Sequence, residues 1–449
     1  MISANIRKLK NRINPHFLEV VQGSTIAFSL KILGTILAFA FNLLVARKLG
    51  AEGTGIYFLA ITITTIAAVI GRIGLDTTLL RFTAANAAIR NWQAVKGLYK
   101  KGLIYSISIS FLIALLMCLT APVVTSKIFS KPELIAPIRY LAIAVVPLVI
   151  LTLHAELLKG LKLIFASQVV QSLGVPAISL IALILIRHQL VVEDAVWAYI
   201  LAVIVTALFS VWLWRKATPQ MRNIMGSFET NQLFSSCMPI FLMAILDLAM
   251  VKSATVLLGI WKNNADVGIF NVASQTSRLI SFVLFSVNSI AAPKFAALYR
   301  QGNKKVLQST ARSSTKIMTI LASPLLLFIV FMPNRIMGLF GKEFAEGSIV
   351  LIILALGQYV NVITGSVGYL LTMSGNERTM RNNVIVGSGV NILLNLLLIP
   401  TFGMIGAALA TSISIATINI LASISVYKIL GIQVFTVCYV STRIRSQVY

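Results

Sequence analysis

Asn271, Ser274, Arg278, Ser281 and Asn288 are spaced 3, 4, 3 and 7 residues apart, which puts all five on one stripe of a helix. The run around them, GIFNVASQTSRLISFVLFSVN (Gly268–Asn288), is otherwise largely apolar and long enough to cross a bilayer. A guanidinium at the centre of such a helix costs about 2.5–3.5 kcal/mol on insertion scales, so it is expected to face protein, water or ligand and not lipid. Arginine binds phosphate through planar, paired hydrogen bonds, and lysine binds it as a point charge. Amides and hydroxyls beside them would suit a sugar.

The same periodicity recurs. Lys31, Thr35 and Asn42 share a face, as do Thr62, Thr65, Arg72 and Asp76. Gln358, Asn361, Gly365 and Gly368 form another stripe, and Asn383, Gly387, Asn391 and Asn395 a further one. The cations inside or at the ends of apolar runs are Lys31, Arg72, Arg139, Lys252, Arg278 and Lys316; the acids there are Asp76, Glu156 and Asp247, with one histidine, His154. The intramembrane excess is therefore cationic. Candidate contacts to an anionic substrate are Arg278, Lys252, Lys31, Arg72, Asn42, Asn271 and Asn288. Asp247, Asp76 and Glu156 are candidates for coupling to an ion or proton. Each has a plainer reading. Polar stripes also serve helix–helix hydrogen bonding. Lys31, Arg139 and Lys316 are near enough to span ends to snorkel. Arg72 can pair with Asp76 four residues on, and Asp247 can neutralise Arg278 or Lys252. His154 and Glu156, two apart, face different ways.

The elements that must position these residues follow from composition. Of 449 residues, 58% are hydrophobic and 11% charged, with a mean hydropathy of +0.90, where a soluble protein would carry roughly a quarter charged residues. The fold class is all-α and polytopic. Twelve spans are predicted, at about 24–46, 54–75, 102–124, 134–157, 164–186, 194–214, 233–260, 266–292, 313–333, 347–373, 382–400 and 404–427. The longest loops are expected near 81–101, 215–232 and 293–312. Lipid-facing β-strands would alternate polar and apolar residues, and these runs do not.

The net charge of +25 does not indicate nucleic-acid binding, because the basic residues are scattered through short loops. They divide by side. Twenty-four cations, beginning with Arg7, Lys8, Lys10 and Arg12 and ending with Arg443 and Arg445, fall on the face of the termini; eight, Arg187 among them, fall opposite. That asymmetry places both termini in the cytoplasm. Cys118, Cys237 and Cys438 lie far apart and suggest neither a disulfide framework nor a metal site. No GxxxxGK[ST] loop is present, so no nucleotide and no other cofactor is expected.

An ungapped offset of 213 residues lays GIYFLA (Gly55–Ala60) on GIFNVA (Gly268–Ala273) and RFTAA (Arg81–Ala85) on KFAAL (Lys294–Leu298). An offset of 215 brings Gly160 onto Gly375 and Gly174-Val175 onto Gly389-Val390. The repeat covers six spans, an even number, so the halves run parallel, as in transporters whose substrates bind between the lobes. The expected division is an N-terminal six-helix lobe, 1–216, and a C-terminal one, 217–449, around a central cleft.

The stretch NLLVARKLGAEGTGIYFLAITITTIAAVIGRIGLDTTLLRF (Asn42–Phe82) resembles the opening of the polysaccharide-biosynthesis flippases, of the multidrug/oligosaccharidyl-lipid/polysaccharide exporter superfamily. Ala46-Arg47, Leu49-Gly50, Gly55, Gly74-Leu75 and Arg81-Phe82 carry the resemblance. It implies alternating access that flips a polyprenyl-pyrophosphate-linked oligosaccharide, an O-antigen or similar repeat unit, from the cytoplasmic to the periplasmic leaflet of a bacterial inner membrane. Expected partners are that glycan, the bilayer and polysaccharide polymerase or assembly proteins. A lipid II-type flippase and a multidrug or cation antiporter are the alternatives, the second disfavoured by the cationic excess. No paired-carboxylate or nucleophilic constellation suggests an enzyme.

Overall fold

The structure, a computed structural model, describes residues 15–186 and 189–434. Arg7, Lys8, Lys10, Arg12, Arg187, Cys438, Arg443 and Arg445, used above for charge and cysteine placement, lie outside the described residues. Helices make up nearly all of the chain: α1 (Pro15–Arg72), α2 (Leu75–Ala88), α3 (Trp92–Val123), α4 (Ile135–Gly160), α5 (Ile164–Leu185), α6 (Val192–Ala217) and α7 (Thr230–Trp261), then α8 (Asn264–Ser277), α9 (Ser281–Arg300), α10 (Lys304–Phe331), α11 (Ser348–Ile363), α12 (Val367–Met373) and α13 (Glu377–Leu430).

Among the described residues, ten helical stretches are long and apolar enough to span a membrane. Two of them are double. In α1 the backbone leaves the helix at Gly50 (φ 69°), and in α13 at Gly403 (φ 55°), conformations that glycine adopts without a Cβ clash. Both helices reverse there. The rings of Phe41 and Tyr57 lie 6.1 Å apart, where a straight helix would separate them by about 24 Å. Gly406 likewise packs on the carbonyl of Leu398. Counting each arm gives twelve spans, with the first and last residues described on the same face of the bundle.

The expected loops are shorter than the apolar runs suggest. Residues 81–101 are mostly α2 and the start of α3, and 293–312 are the end of α9 and the start of α10. Hydropathy marks where a helix leaves hydrocarbon, and these helices continue into water on polar residues. Among the described residues, only the connection after α6 is long and mostly irregular.

The repeat is visible as a reciprocal crossing. A Cβ on Gly55 would lie 1.7 Å from the carbonyl oxygen of Asn264, and one on Gly268 would lie 2.3 Å from that of Ala51. The 213-residue offset exchanges Gly55 with Gly268 and Ala51 with Asn264. The second arm of α1 and its counterpart α8 therefore cross about a local two-fold axis, with backbones in contact because neither glycine has a side chain.

On the face opposite the termini, the two halves are sealed. Phe340 and Phe344 belong to the same buried core as Val45, Ala46 and Leu59. The Glu343 carboxylate accepts from the backbone N–H of Ala51 at 2.8 Å, at the start of α1's second arm. Glu133 accepts from the Asn264 side chain at 2.7 Å, at the start of α8. Each half thus sends one carboxylate to the positive end of the other half's crossing helix, where an anion is favoured. Arg47 adds a bond from Nε to the Leu339 carbonyl at 2.5 Å. Lys131 is buried in the same seam with no partner for Nζ among the described residues. Burial lowers its pKa, while Glu133 and Asp266 pull it back up.

Removing the Glu343 carboxylate as Glu343→Ala is expected to cost the sealed state about 1 kcal/mol, a typical capping loss. The share of molecules open on this face should rise about fivefold. Spin labels at Ser126 and Phe402, exposed at the ends of α3 and α13's first arm, would report it as a longer distance; an unchanged distribution contradicts the latch.

Candidate functional site

Between the halves lies a cavity of about 430 Å³, enclosed by both arms of α1, by α5, α6, α7, α8 and α11, and by both arms of α13. Its lining includes Arg278, Lys252, Asn42 and Asn271, joined by Ser274, Gln275 and Gln358, and among the described residues contains no Asp or Glu. Arg278 sits fourteen residues into the membrane from the start of α8, a depth of about 21 Å along the helix. It is exposed, and the open surface of so deep a residue is turned to the cavity it lines.

Local structure explains why an arginine is tolerated there. Arg278 is the C-cap of α8, and the chain makes a tight turn through Leu279 and Ile280 before α9 begins. A cation at a helix C-terminus is stabilised by the helix dipole and its unshared carbonyls. Its Nη1 donates to Ser274 Oγ at 2.8 Å, one helical turn back. Among the described residues, carboxylates pair with Arg72 and Lys159, and none pairs with Arg278 or Lys252.

The amides around the cations are held by one another. Asn42 Nδ2 donates to Gln275 Oε1, tying the first arm of α1 to α8, and Ser281 donates to Gln358 Oε1. Thr255 donates to Asn271 Oδ1 at 3.2 Å, and Asn271 Nδ2 donates to the Val267 carbonyl at 2.9 Å. The Asn383–Asn395 stripe is chiefly a helix seam. Asn395 donates to Asn391 and to Ser253, and Ser253 donates to Asn391, with Asn391 also at the cavity edge.

The other sequence candidates lie elsewhere. Arg72, at the end of α1, pairs with Asp76, in the first turn of α2, at 3.0 Å. Lys31 places Nζ 3.8 Å over the Phe285 ring, near the face of the termini, where Phe28 also stacks on Phe285. Glu156 binds Lys159 at 3.4 Å and Gln171 at 3.1 Å. His154 is buried, with Nε2 3.2 Å from the Tyr99 hydroxyl and Nδ1 2.8 Å from the Ile150 carbonyl. Asp247 and Asn288 line a second cavity of about 390 Å³ within the C-terminal half, together with Asn361, Tyr369, Thr372 and Asn419. Asn288 also accepts from Ser366. The sequence reading missed Tyr57, Tyr199 and Gln275 at the central cavity. Tyr57 and Tyr199 lie on arms with no charged stripe at that level, and Gln275 falls beside the Arg278 stripe.

Twelve spans among the described residues, in two similar halves around a membrane cavity with polar and cationic lining, define a membrane transporter. Residues 20–299 match the family model described as polysaccharide biosynthesis protein, and residues 239–397 match that of MatE. An uncharacterized membrane protein of Methanocaldococcus jannaschii is 23% identical over 394 residues, 84% of this chain and 77% of that one. The probable low-salt glycan biosynthesis flippase Agl15 of Haloferax volcanii is 26% identical over 166 residues, 37% of this chain and 35% of that protein. Among solved structures, the lipid II flippase MurJ in an inward closed conformation is similar with a TM-score of 0.73 at 14% identity, covering 89% of this chain and 87% of that one. The chain belongs to the polysaccharide biosynthesis protein family, in the superfamily it shares with the MATE exporters, and is a flippase-type transporter rather than an enzyme.

Proposed function

We propose that the chain moves a polyprenyl-pyrophosphate-linked oligosaccharide, an O-antigen or similar polysaccharide repeat unit, from the cytoplasmic to the periplasmic leaflet. The two lobes, 1–216 and 217–449, alternate access to the cavity, with both termini cytoplasmic. One observation carries this reading: among the described residues the central cavity is lined by Arg278 and Lys252 and by no acid. Two uncompensated cations in a low-dielectric site favour a dianionic group, and pyrophosphate offers the oxygens for both. Asn42 and Asn271 supply hydrogen bonds to the sugars beside it. A cavity for cationic drugs needs the opposite charge.

The lipid tail stays in the bilayer while the headgroup crosses. An inside-negative potential favours outward movement of the headgroup by about 2.3 kcal/mol per charge per 100 mV. Asp247, in the second cavity among amides and hydroxyls, is the residue through which a cation or proton would reset the C-terminal lobe. Asp247→Asn is expected to remove any dependence of the flipping rate on an imposed sodium or proton gradient while leaving the dependence on membrane potential. A gradient dependence equal to wild type excludes Asp247 from coupling.

Deleting the gene in its host tests the cargo. Lipid-linked oligosaccharide should build up in the cytoplasmic leaflet and surface polymer should be lost. Normal surface polymer, with a new sensitivity to cationic drugs, would replace this reading by the antiporter one.

A further inference from the structure

We propose that Tyr57 and Tyr199 form the subsite for the first sugar, the one bonded directly to the pyrophosphate, and so let the transporter distinguish loaded from bare lipid carrier. This rests on the pyrophosphate reading of the same cavity. Both tyrosines line it. Tyr57 is only 3% exposed, yet among the described residues neither phenol hydroxyl has a hydrogen-bond partner, and neither is sealed away from the cavity. A buried tyrosine hydroxyl normally finds a partner. Two that share one cavity and have none point to a partner that arrives with the cargo.

Position along the membrane normal assigns the cargo group. Tyr57 lies seven residues beyond the Gly50 reversal and Tyr199 seven beyond the start of α6, each about 10 Å from the far face. Lys252 is nine residues from the end of α7 and Arg278 fourteen from the start of α8, about 14 and 21 Å deep. The phenols therefore lie beyond the cations on the side of the sealed face. A pyrophosphate held by Arg278 and Lys252 sends its lipid towards the bilayer and its sugar towards the tyrosines. Phe58 and Phe41, with ring centres 5.6 and 6.1 Å from that of Tyr57, hold this ring in place. A pyranose has an apolar face for such a wall and hydroxyls for the phenols. Bare carrier leaves both phenols unpaired, which makes the spent lipid the poorer ligand.

The test is binding of two probes to the purified full chain in detergent: undecaprenyl pyrophosphate, and the same lipid carrying one N-acetylglucosamine. Wild type should bind the glycosylated probe at least about tenfold more tightly than the bare one, from roughly one hydrogen bond per phenol. In the double variant Tyr57→Phe/Tyr199→Phe, which keeps ring and volume, that ratio should fall to about twofold or less. A double variant with the wild-type ratio overturns the sugar subsite while leaving the pyrophosphate reading in place. Failure of wild type to bind either probe overturns the pyrophosphate reading, and the subsite with it.

Discussion

Replacing Arg278 with alanine is expected to abolish surface polysaccharide while the protein still inserts and accumulates. Arg278 has no carboxylate partner among the described residues, and its one side-chain bond there is to a serine on its own helix. Its loss therefore leaves no buried acid stranded, and the fold should survive. What is lost is a charge-assisted contact to phosphate, worth about 1.5–3 kcal/mol, or roughly ten- to a hundredfold in affinity. Arg278→Lys keeps the charge without the planar fork and should recover part of the function. Immunoblots for the protein and gels of surface polymer separate the outcomes. Full polymer at normal protein level in Arg278→Ala removes this residue from the site.

The other large effect belongs to the fold. Gly55→Val sets a branched side chain where even a Cβ would lie 1.7 Å from the Asn264 carbonyl oxygen. A backbone carbonyl cannot rotate aside, so α8 must leave α1, breaking the crossing, the Glu343 cap and the Glu133–Asn264 bond beside it. The cost should reach the top of the overpacking range, about 3 kcal/mol or more. Gly268→Val should act in the same way, because the local two-fold axis makes the sites equivalent. Both variants should show a much lower Tm in detergent and poor recovery. Gly338→Ala, where a Cβ meets open space, should match wild type. A normal Tm for Gly55→Val would contradict the close crossing.

Much of this was readable in the sequence, for physical reasons. Apolar runs of bilayer length must be spans, because lipid cannot satisfy an exposed backbone. The pairing of Gly55 with Gly268 emerged as a repeat match and became a contact, since a pseudo-symmetric crossing needs the same small residue on both helices. Arg278, Lys252, Asn42 and Asn271 were singled out by depth and spacing and share one cavity. Depth alone could not tell a cavity from a helix seam. Arg72 is as polar and sits on a stripe of the same spacing, yet Asp76 four residues on takes its charge. Asn391 and Asn395 read as a lining stripe but chiefly bond to each other and to Ser253. The tyrosines carry no charge and no stripe, so only the packing of α1 against α6 brings them together. The bonds made by Glu133 and Glu343 join residues more than a hundred positions apart through loops whose sequence shows only an acid near a turn.

The most direct measurement is flipping by the purified chain in proteoliposomes, using a fluorescent N-acetylglucosamine-pyrophosphoryl-polyprenol and a membrane-impermeant quencher. Wild type should move the probe, inorganic pyrophosphate on the entry side should compete, and Arg278→Ala/Lys252→Ala should be inactive. Wild-type flipping by that double variant would mean that the cationic cavity between the lobes is not where the headgroup is held.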